Sequence, residues 1–254
     1  MDMDGVLWRG AKPLGDLPEI FDQVYRLGWK AVLVTNNATR SVDFYLEKLH
    51  SFGVSLERWQ VISSGEALVA YLRESIPFGS TLFVIGEEGL VQLLSGEGFI
   101  IGEENAQAVI VSLDRELTYE KLRQGNKLVR SGAALIATNP DTAIPAADGL
   151  EPGAGAILAA MEAASGVKAA IAGKPNPQVY RLAMKRMGLS PQETLVIGDR
   201  LETDIAGAQS LGCHTALVLS GVTSKENAQA WFPSPDLVAL DLAEILNNAQ
   251  GGIP

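Results

Sequence analysis

The chain has 254 residues, 47% of them apolar, enough to bury one large core or two ordinary ones. Twenty Lys and Arg stand against thirty Asp and Glu, a formal charge of −10 with no long basic run. This argues against nucleic acid and anionic membranes as partners. The single cysteine, Cys213, rules out an intrachain disulfide and fits a reducing compartment. No apolar run reaches the ~20 residues of a membrane span, and no secretory signal opens the chain, so a cytoplasmic location is expected.

Apolar runs alternate with amphipathic helices. Asp16 can cap a helix opened by Pro18, with Ile20, Phe21, Val24 and Leu27 on one face and Gly28 as its stop. Ala31 to Val34 reads as a buried strand. Ser41 can start a helix that buries Phe44, Tyr45, Leu49 and Phe52 before Gly53, and a further helix over 66–74 follows Ser64. Buried strands are expected over 82–85, 108–111, 134–137 and 169–172, separated by helices near 88–94, 119–131 and 155–164. Beyond them the pattern predicts a helix over 180–187, a strand over 194–197, a helix over 204–211 and a strand over 215–219. Such alternation implies βαβ units, a mostly parallel sheet, and functional groups on loops at the carboxyl ends of strands.

Four loops carry chemistry. In the first, Asp2-Met3-Asp4-Gly5-Val6, two carboxylates can face one site and recruit a cation, or form a solvated turn. The second, Val34-Thr35-Asn36-Asn37, can hold phosphate oxygens or cap a helix. In the third, Gly173-Lys174-Pro175-Asn176-Pro177, prolines pin a lysine that otherwise would be solvated. The fourth runs from Val196 to Asp204 and puts Asp199 and Asp204 near a helix start, where acids also serve as ordinary caps.

Taken in order, these loops are far more specific. DMDGVLWRG, VTNNAT, AGKPNP and IGDRLETD resemble the haloacid dehalogenase-like (HAD) phosphohydrolases, in particular their nitrophenylphosphatase/NagD-like branch. The resemblance runs from residue 2 to about residue 245 and is weakest in the middle. It implies an α/β fold: a Rossmann-like core of residues 1–77 and 172–254, with an inserted α/β cap over 78–171. It also implies a phosphatase of small phosphorylated metabolites. Asp2 would attack phosphorus and form an aspartyl-phosphate, while Asp4 would act as general acid and base. Mg²⁺ would be held by Asp2, the main-chain carbonyl of Asp4 and Asp199, with Asp204 just outside. Thr35, Asn36 and Lys174 would bind the phosphoryl group. Trp8, in a short flap, and the cap-loop residues Asn139 and Asp141 are the candidates for substrate contact. Caps of this kind can also mediate a homodimer.

The family has an apolar strand before its first aspartate, whereas only Met1 precedes Asp2 here; upstream residues are expected to be missing from the sequence. A phosphotransferase or mutase of the same fold is the alternative, because an aspartyl-phosphate can pass its phosphoryl group to a sugar. A non-catalytic protein binding phosphoryl ligands is a further one. His50 and His214 lack metal-ligand partners at a useful spacing, and Ser63 and Ser64 lack a recognisable base. Gly153-Ala154-Gly155 reads as a helix start, not a phosphate loop.

Overall fold

A computed structural model describes residues 1–146 and 149–249. The chain forms two compact units. The first comprises Met1–Thr35, Val42–Ile62 and the chain from Val179 onward; the second comprises Asn36–Ser41 and Ser63–Gln178. Residues 78–171 fall wholly inside the second unit, which also takes in 36–41, 63–77 and 172–178.

In the first unit, strands Leu195–Gly198, His214–Val218 and Leu237–Ala239 run parallel, with Leu195 opposite His214 and Ala216 opposite Leu237. Strand Leu33–Thr35 pairs with Val61–Ser63. Met1 and Asp2 lie between these two groups. The Met1 ammonium donates to the Val32 carbonyl and the Met1 carbonyl accepts from Val34 N–H, both at 2.8 Å. On the other side, Asp2 N–H donates to the Ile197 carbonyl at 2.8 Å. Two residues thus make the contacts of a central strand and deliver Asp2 to its carboxyl end. Met3, Leu33, Ile197, Ala216 and Val218 form the core beneath.

The second unit holds a five-stranded parallel sheet in the order Ala170–Ile171, Ala134–Ala137, Ala108–Val111, Thr81–Ile85, Ile100–Ile101. Its central strands are buried on both faces, which is why they read as continuous apolar runs. One core lies on each side of this sheet, around Leu68, Leu72 and Leu90 and around Val129, Leu158 and Met161. The α/β class and the mostly parallel sheets are as expected. The hairpins Trp8–Arg9/Lys12–Pro13 and Ala143–Ala146/Gly149–Pro152 pair antiparallel. No helix among the described residues is long and apolar enough to cross a membrane.

Several local expectations need correction. Phe44 is 38% exposed on helix Val42–Ser51, its ring set edge-on to Tyr45; the buried positions are Val42, Tyr45 and Leu49. The helix expected over 66–74 begins earlier, spanning Ser64–Ser75, and Ser63 caps it by accepting the Glu66 N–H. Strand 169–172 shortens to Ala170–Ile171. The helix expected from Asp204 begins earlier, as a π-helical turn over Leu201–Ile205 that continues into Ala206–Gln209. Asp16 does cap Leu17–Arg26, accepting from Glu19 N–H at 3.2 Å.

Candidate active site

In the first unit, carboxylate oxygens of Asp2, Asp199 and Asp204 all lie within 4.8 Å of one another. Asp2 follows Met1 between the two strand groups, its N–H on the Ile197 carbonyl, and Asp199 follows strand Leu195–Gly198. Asp204 is carried by the π-helical turn. Asp199 and Asp204 are each 1% exposed, and three carboxylates this close repel one another in a poorly solvated site. A divalent cation with a taste for hard oxygen ligands relieves that repulsion, so the donor set fits Mg²⁺.

The surrounding backbone is shaped to the carboxylates. Val222 N–H donates to Asp199 Oδ2 at 2.8 Å, and Arg200 N–H donates to Asp204 Oδ2 at 3.1 Å. A Cβ added to Gly221 would fall 1.9 Å from Asp199 Oδ2, and one added to Gly198 would fall 2.3 Å from Asp204 Cβ. Gly5, with φ +85°, approaches Asp199 from another side, where a Cβ would fall 2.5 Å from the same Oδ2. Glycine is needed here because the backbone must touch the acid it holds. The buried Tyr180 hydroxyl donates to the Thr203 carbonyl at 2.6 Å, anchoring the turn that carries Asp204. Gly5 and Gly198 stand inside the first and fourth motifs, whereas Tyr180, Gly221 and Val222 carry no sequence signal of their own.

Asp4 is exposed, but its Oδ1 accepts from the indole N–H of Trp8 at 2.8 Å. Trp8 is fully buried, stacked near-parallel on Tyr45 and tilted against Phe52. The Lys48 ammonium sits 4.0 Å from the centre of its ring and donates to the Gly10 carbonyl at 2.9 Å. Burial pushes the Lys48 amine below the usual lysine range, against an opposing pull from the Asp4 charge. Trp8 is therefore aimed at Asp4 rather than out into solvent. Thr35, the last residue of its strand, is buried in the same unit.

The second unit gathers Asn36, Ser64, Asn139, Asp141 and Lys174. The Asn36 side chain accepts from Lys174 N–H at 2.8 Å and donates to the Lys174 carbonyl at 3.1 Å and to Asp141 Oδ2 at 3.2 Å. Its main-chain carbonyl accepts from the Ser64 hydroxyl and from Asn139 Nδ2. Both amide hydrogens of Asn36 are thus spent on protein groups. Asn139 is buried, and its Oδ1 takes the N–H of Asp141, an Asx turn that shapes the loop. Lys174 is 3% exposed. Gly173 packs so tightly that a Cβ would lie 2.4 Å from the Thr138 carbonyl oxygen. Gly153 caps helix Ala154–Ser165, as expected from its sequence, and Gly155 lies against the Pro140 carbonyl.

Parallel sheets with acids clustered at the strand ends define an α/β enzyme fold with a carboxylate cluster whose donors fit a cation. Residues 1–100 match the haloacid dehalogenase-like hydrolase family, and residues 171–245 match a second HAD-hydrolase-like family. The 5'-nucleotidase YutF of Bacillus subtilis is 35% identical over 227 residues, 89% of this chain and 88% of that protein. A 4-nitrophenylphosphatase structure from Thermotoga maritima superposes with a TM-score of 0.90 at 33% identity, covering 97% of this chain and 94% of that one. A glycerol phosphate phosphatase from Mycobacterium tuberculosis in complex with magnesium gives 0.88 at 30%, covering 96% of this chain and 74% of that one. The chain belongs to the haloacid dehalogenase-like hydrolases, in their nitrophenylphosphatase/NagD-like branch.

Proposed function

We propose that this protein is a Mg²⁺-dependent phosphomonoesterase of small phosphorylated metabolites that works through an aspartyl-phosphate on Asp2. The observation that carries the reading is the Asp2, Asp199 and Asp204 cluster at the strand ends, with Asp4 two residues from Asp2. Asp2, the Asp4 main-chain carbonyl and Asp199 are assigned to the metal. Asp204, whose carboxylate lies within 4.8 Å of both, is assigned to the outer shell, where it orients metal-bound water. The metal, when bound, neutralises charge on the carboxylates and the phosphoryl oxygens.

An oxygen of Asp2 attacks phosphorus while the bond to the alcohol oxygen breaks. Asp4 gives that oxygen its proton, then takes one from the water that hydrolyses the acyl phosphate and regenerates Asp2. Thr35, the main-chain N–H of Asn36 and the Lys174 ammonium are assigned to the phosphoryl oxygens, as positioning and charge balance. Residues 78–171 are assigned to a cap, with Asn139 and Asp141 on the loop that meets the leaving group. The reducing compartment suggested by a lone cysteine supports a cytoplasmic location.

The test is Asp2→Asn. Turnover of 4-nitrophenyl phosphate with Mg²⁺ should disappear, and acid-stable labelling from a ³²P-phosphoester should disappear with it. Substantial turnover by a folded Asp2→Asn protein would remove Asp2 as nucleophile.

A further inference from the structure

An exposed carboxylate is ordinarily hydrated and free to rotate about its Cα–Cβ and Cβ–Cγ bonds. Asp4 is exposed, yet its Oδ1 is held at 2.8 Å by an indole that is itself completely buried. Trp8 has little freedom to follow a moving partner. Tyr45 stacks on it at 6.5 Å and 11°, Phe52 meets it at 6.1 Å, and Lys48 lies over its ring. The main chain is fixed as well: Gly5 N–H donates to the Trp8 carbonyl, and the Arg9 guanidinium donates to the Ser220 carbonyl. The donor is therefore rigid and the acceptor is the group that must be held.

The choice of residue has a chemical logic. An indole nitrogen only donates, and it does not titrate, so it holds Oδ1 equally when Asp4 is a carboxylate and when it is a carboxylic acid. A serine or histidine in its place could turn round and accept the proton.

We propose that Trp8 is a positioning residue for proton transfer by Asp4. The indole fixes Oδ1 and thereby assigns the mobile proton to Oδ2. This rests on the reading of Asp4 as general acid and base. As the bond between phosphorus and the leaving oxygen breaks, the proton on Oδ2 moves to that oxygen; in the second half-reaction a proton of the attacking water returns to Oδ2. Lys48 contributes by clamping the outer face of the indole and the Gly10 carbonyl.

The dependence on leaving group separates this role from a merely structural one. Dinitrophenolate departs without a proton, whereas phenolate needs one far more. In Trp8→Phe, which keeps an aromatic ring and loses the N–H, kcat/KM for phenyl phosphate should fall about tenfold and that for 2,4-dinitrophenyl phosphate about twofold, with KM little changed. Asp4→Asn should show the same leaving-group dependence more steeply, and adding Trp8→Phe to it should cause no further selective loss.

If folded Trp8→Phe loses activity equally toward both esters, or loses none, while Asp4→Asn remains selective, the role of Trp8 is overturned and the reading of Asp4 stands. If Asp4→Asn itself affects both esters alike, the reading of Asp4 fails and this proposal fails with it. Should Trp8→Phe not fold, Lys48→Met decides the matter: a selective loss in the same direction supports the clamp, and a parallel loss or none overturns it.

Discussion

The side-chain amide of Asn36 closes on both main-chain groups of Lys174, accepting from its N–H at 2.8 Å and donating to its carbonyl at 3.1 Å. The remaining amide hydrogen goes to Asp141 Oδ2. One buried side chain therefore ties together the loops at residues 36, 141 and 174. Breaking buried hydrogen bonds leaves polar groups unsatisfied, at about 1–3 kcal/mol for each group. Asn36→Ala should lower the melting temperature by several degrees and reduce kcat for 4-nitrophenyl phosphate at least ~10-fold, since Lys174 loses its fixed backbone. Asn36→Asp should be worse: it replaces the donor with an oxygen facing the Lys174 carbonyl and the Asp141 carboxylate. Thermal melts and steady-state kinetics on both variants check this. Asn36→Asp performing better than Asn36→Ala would contradict the clamp.

Gly221 makes a sharper prediction. Its Cβ would lie 1.9 Å from Asp199 Oδ2, so Gly221→Ala must displace either the acid or the loop that delivers the Val222 N–H to it. We expect at least a ~100-fold loss of kcat/KM, because small misplacements of reacting groups are expensive. Gly96→Ala, on helix Glu88–Gly96 with no heavy atom within 4 Å of the added Cβ, should retain wild-type kinetics and a melting temperature within about 2 °C. Similar kinetics for the two variants would show that the close approach at Asp199 is not a constraint.

Much of the fold was legible because burial writes itself into the sequence. Strands Ala108–Val111 and Ala134–Ala137 coincide with apolar runs bounded by polar residues. Helix Leu17–Arg26 begins at its Asp and Pro signals, and Gly28 just beyond it adopts a φ of +72°. The hairpin Ala143–Ala146/Gly149–Pro152 left no such trace. Gly149–Pro152 is exposed throughout, so no face carries an apolar alternation, and Pro145 reads against a strand. Phe44 misled for a related reason: helical spacing marks a face, but the face it marks is one position wider than the buried stripe. Ser63 and Ser64 could each cap a helix by composition. Only the tertiary demand of the Asn36 carbonyl for the Ser64 hydroxyl separates them.

The site is legible in a different way. Asp2, Asp199 and Asp204 stand in loops that parallel-strand topology places at one edge, and the structure brings the three together. What surrounds them is not legible. Nothing in Ser220-Gly221-Val222 announces that Asp199 rests against it, because a close approach between residues 22 apart leaves no local pattern. The resemblance of residues 5–10 to a flap left Trp8 open to substrate contact or to packing; its burial and its bond to Asp4 appear only once helix Val42–Ser51 is packed over it.

Cys213 offers a test of packing independent of catalysis. The thiol is buried beside Met184, with its Sγ 3.9 Å from the Met184 sulfur, and burial pushes its pKa up from the ordinary value. The reactive species is the thiolate, so a raised pKa and steric closure both slow alkylation. At pH 8, iodoacetamide should modify the native protein at least ~100-fold more slowly than the urea-unfolded chain, read by intact mass against time. The rate should rise as pH rises, since more thiolate forms. Comparable rates in the native and unfolded states would place Cys213 outside the core.

The carboxylate cluster should couple metal binding to stability. Asp199 and Asp204 are buried, and holding their charges beside Asp2 without a cation costs the folded state Coulomb energy that the unfolded chain does not bear. A cation that binds only the folded protein stabilises it by RT ln(1 + [L]/Kd), about 2.7 kcal/mol at a hundredfold excess over Kd. For a chain of this size that corresponds to roughly 5–10 °C in melting temperature. Mg²⁺ added to EDTA-treated protein should produce a shift of this order without any substrate present. Asp199→Asn should melt higher than the wild type in EDTA, because one of the repelling charges is gone, and should respond only weakly to Mg²⁺. The two effects have opposite signs, so loss of a ligand cannot be confused with general destabilisation. A lower melting temperature for Asp199→Asn in EDTA, combined with an undiminished Mg²⁺ shift, would remove Asp199 from the metal site.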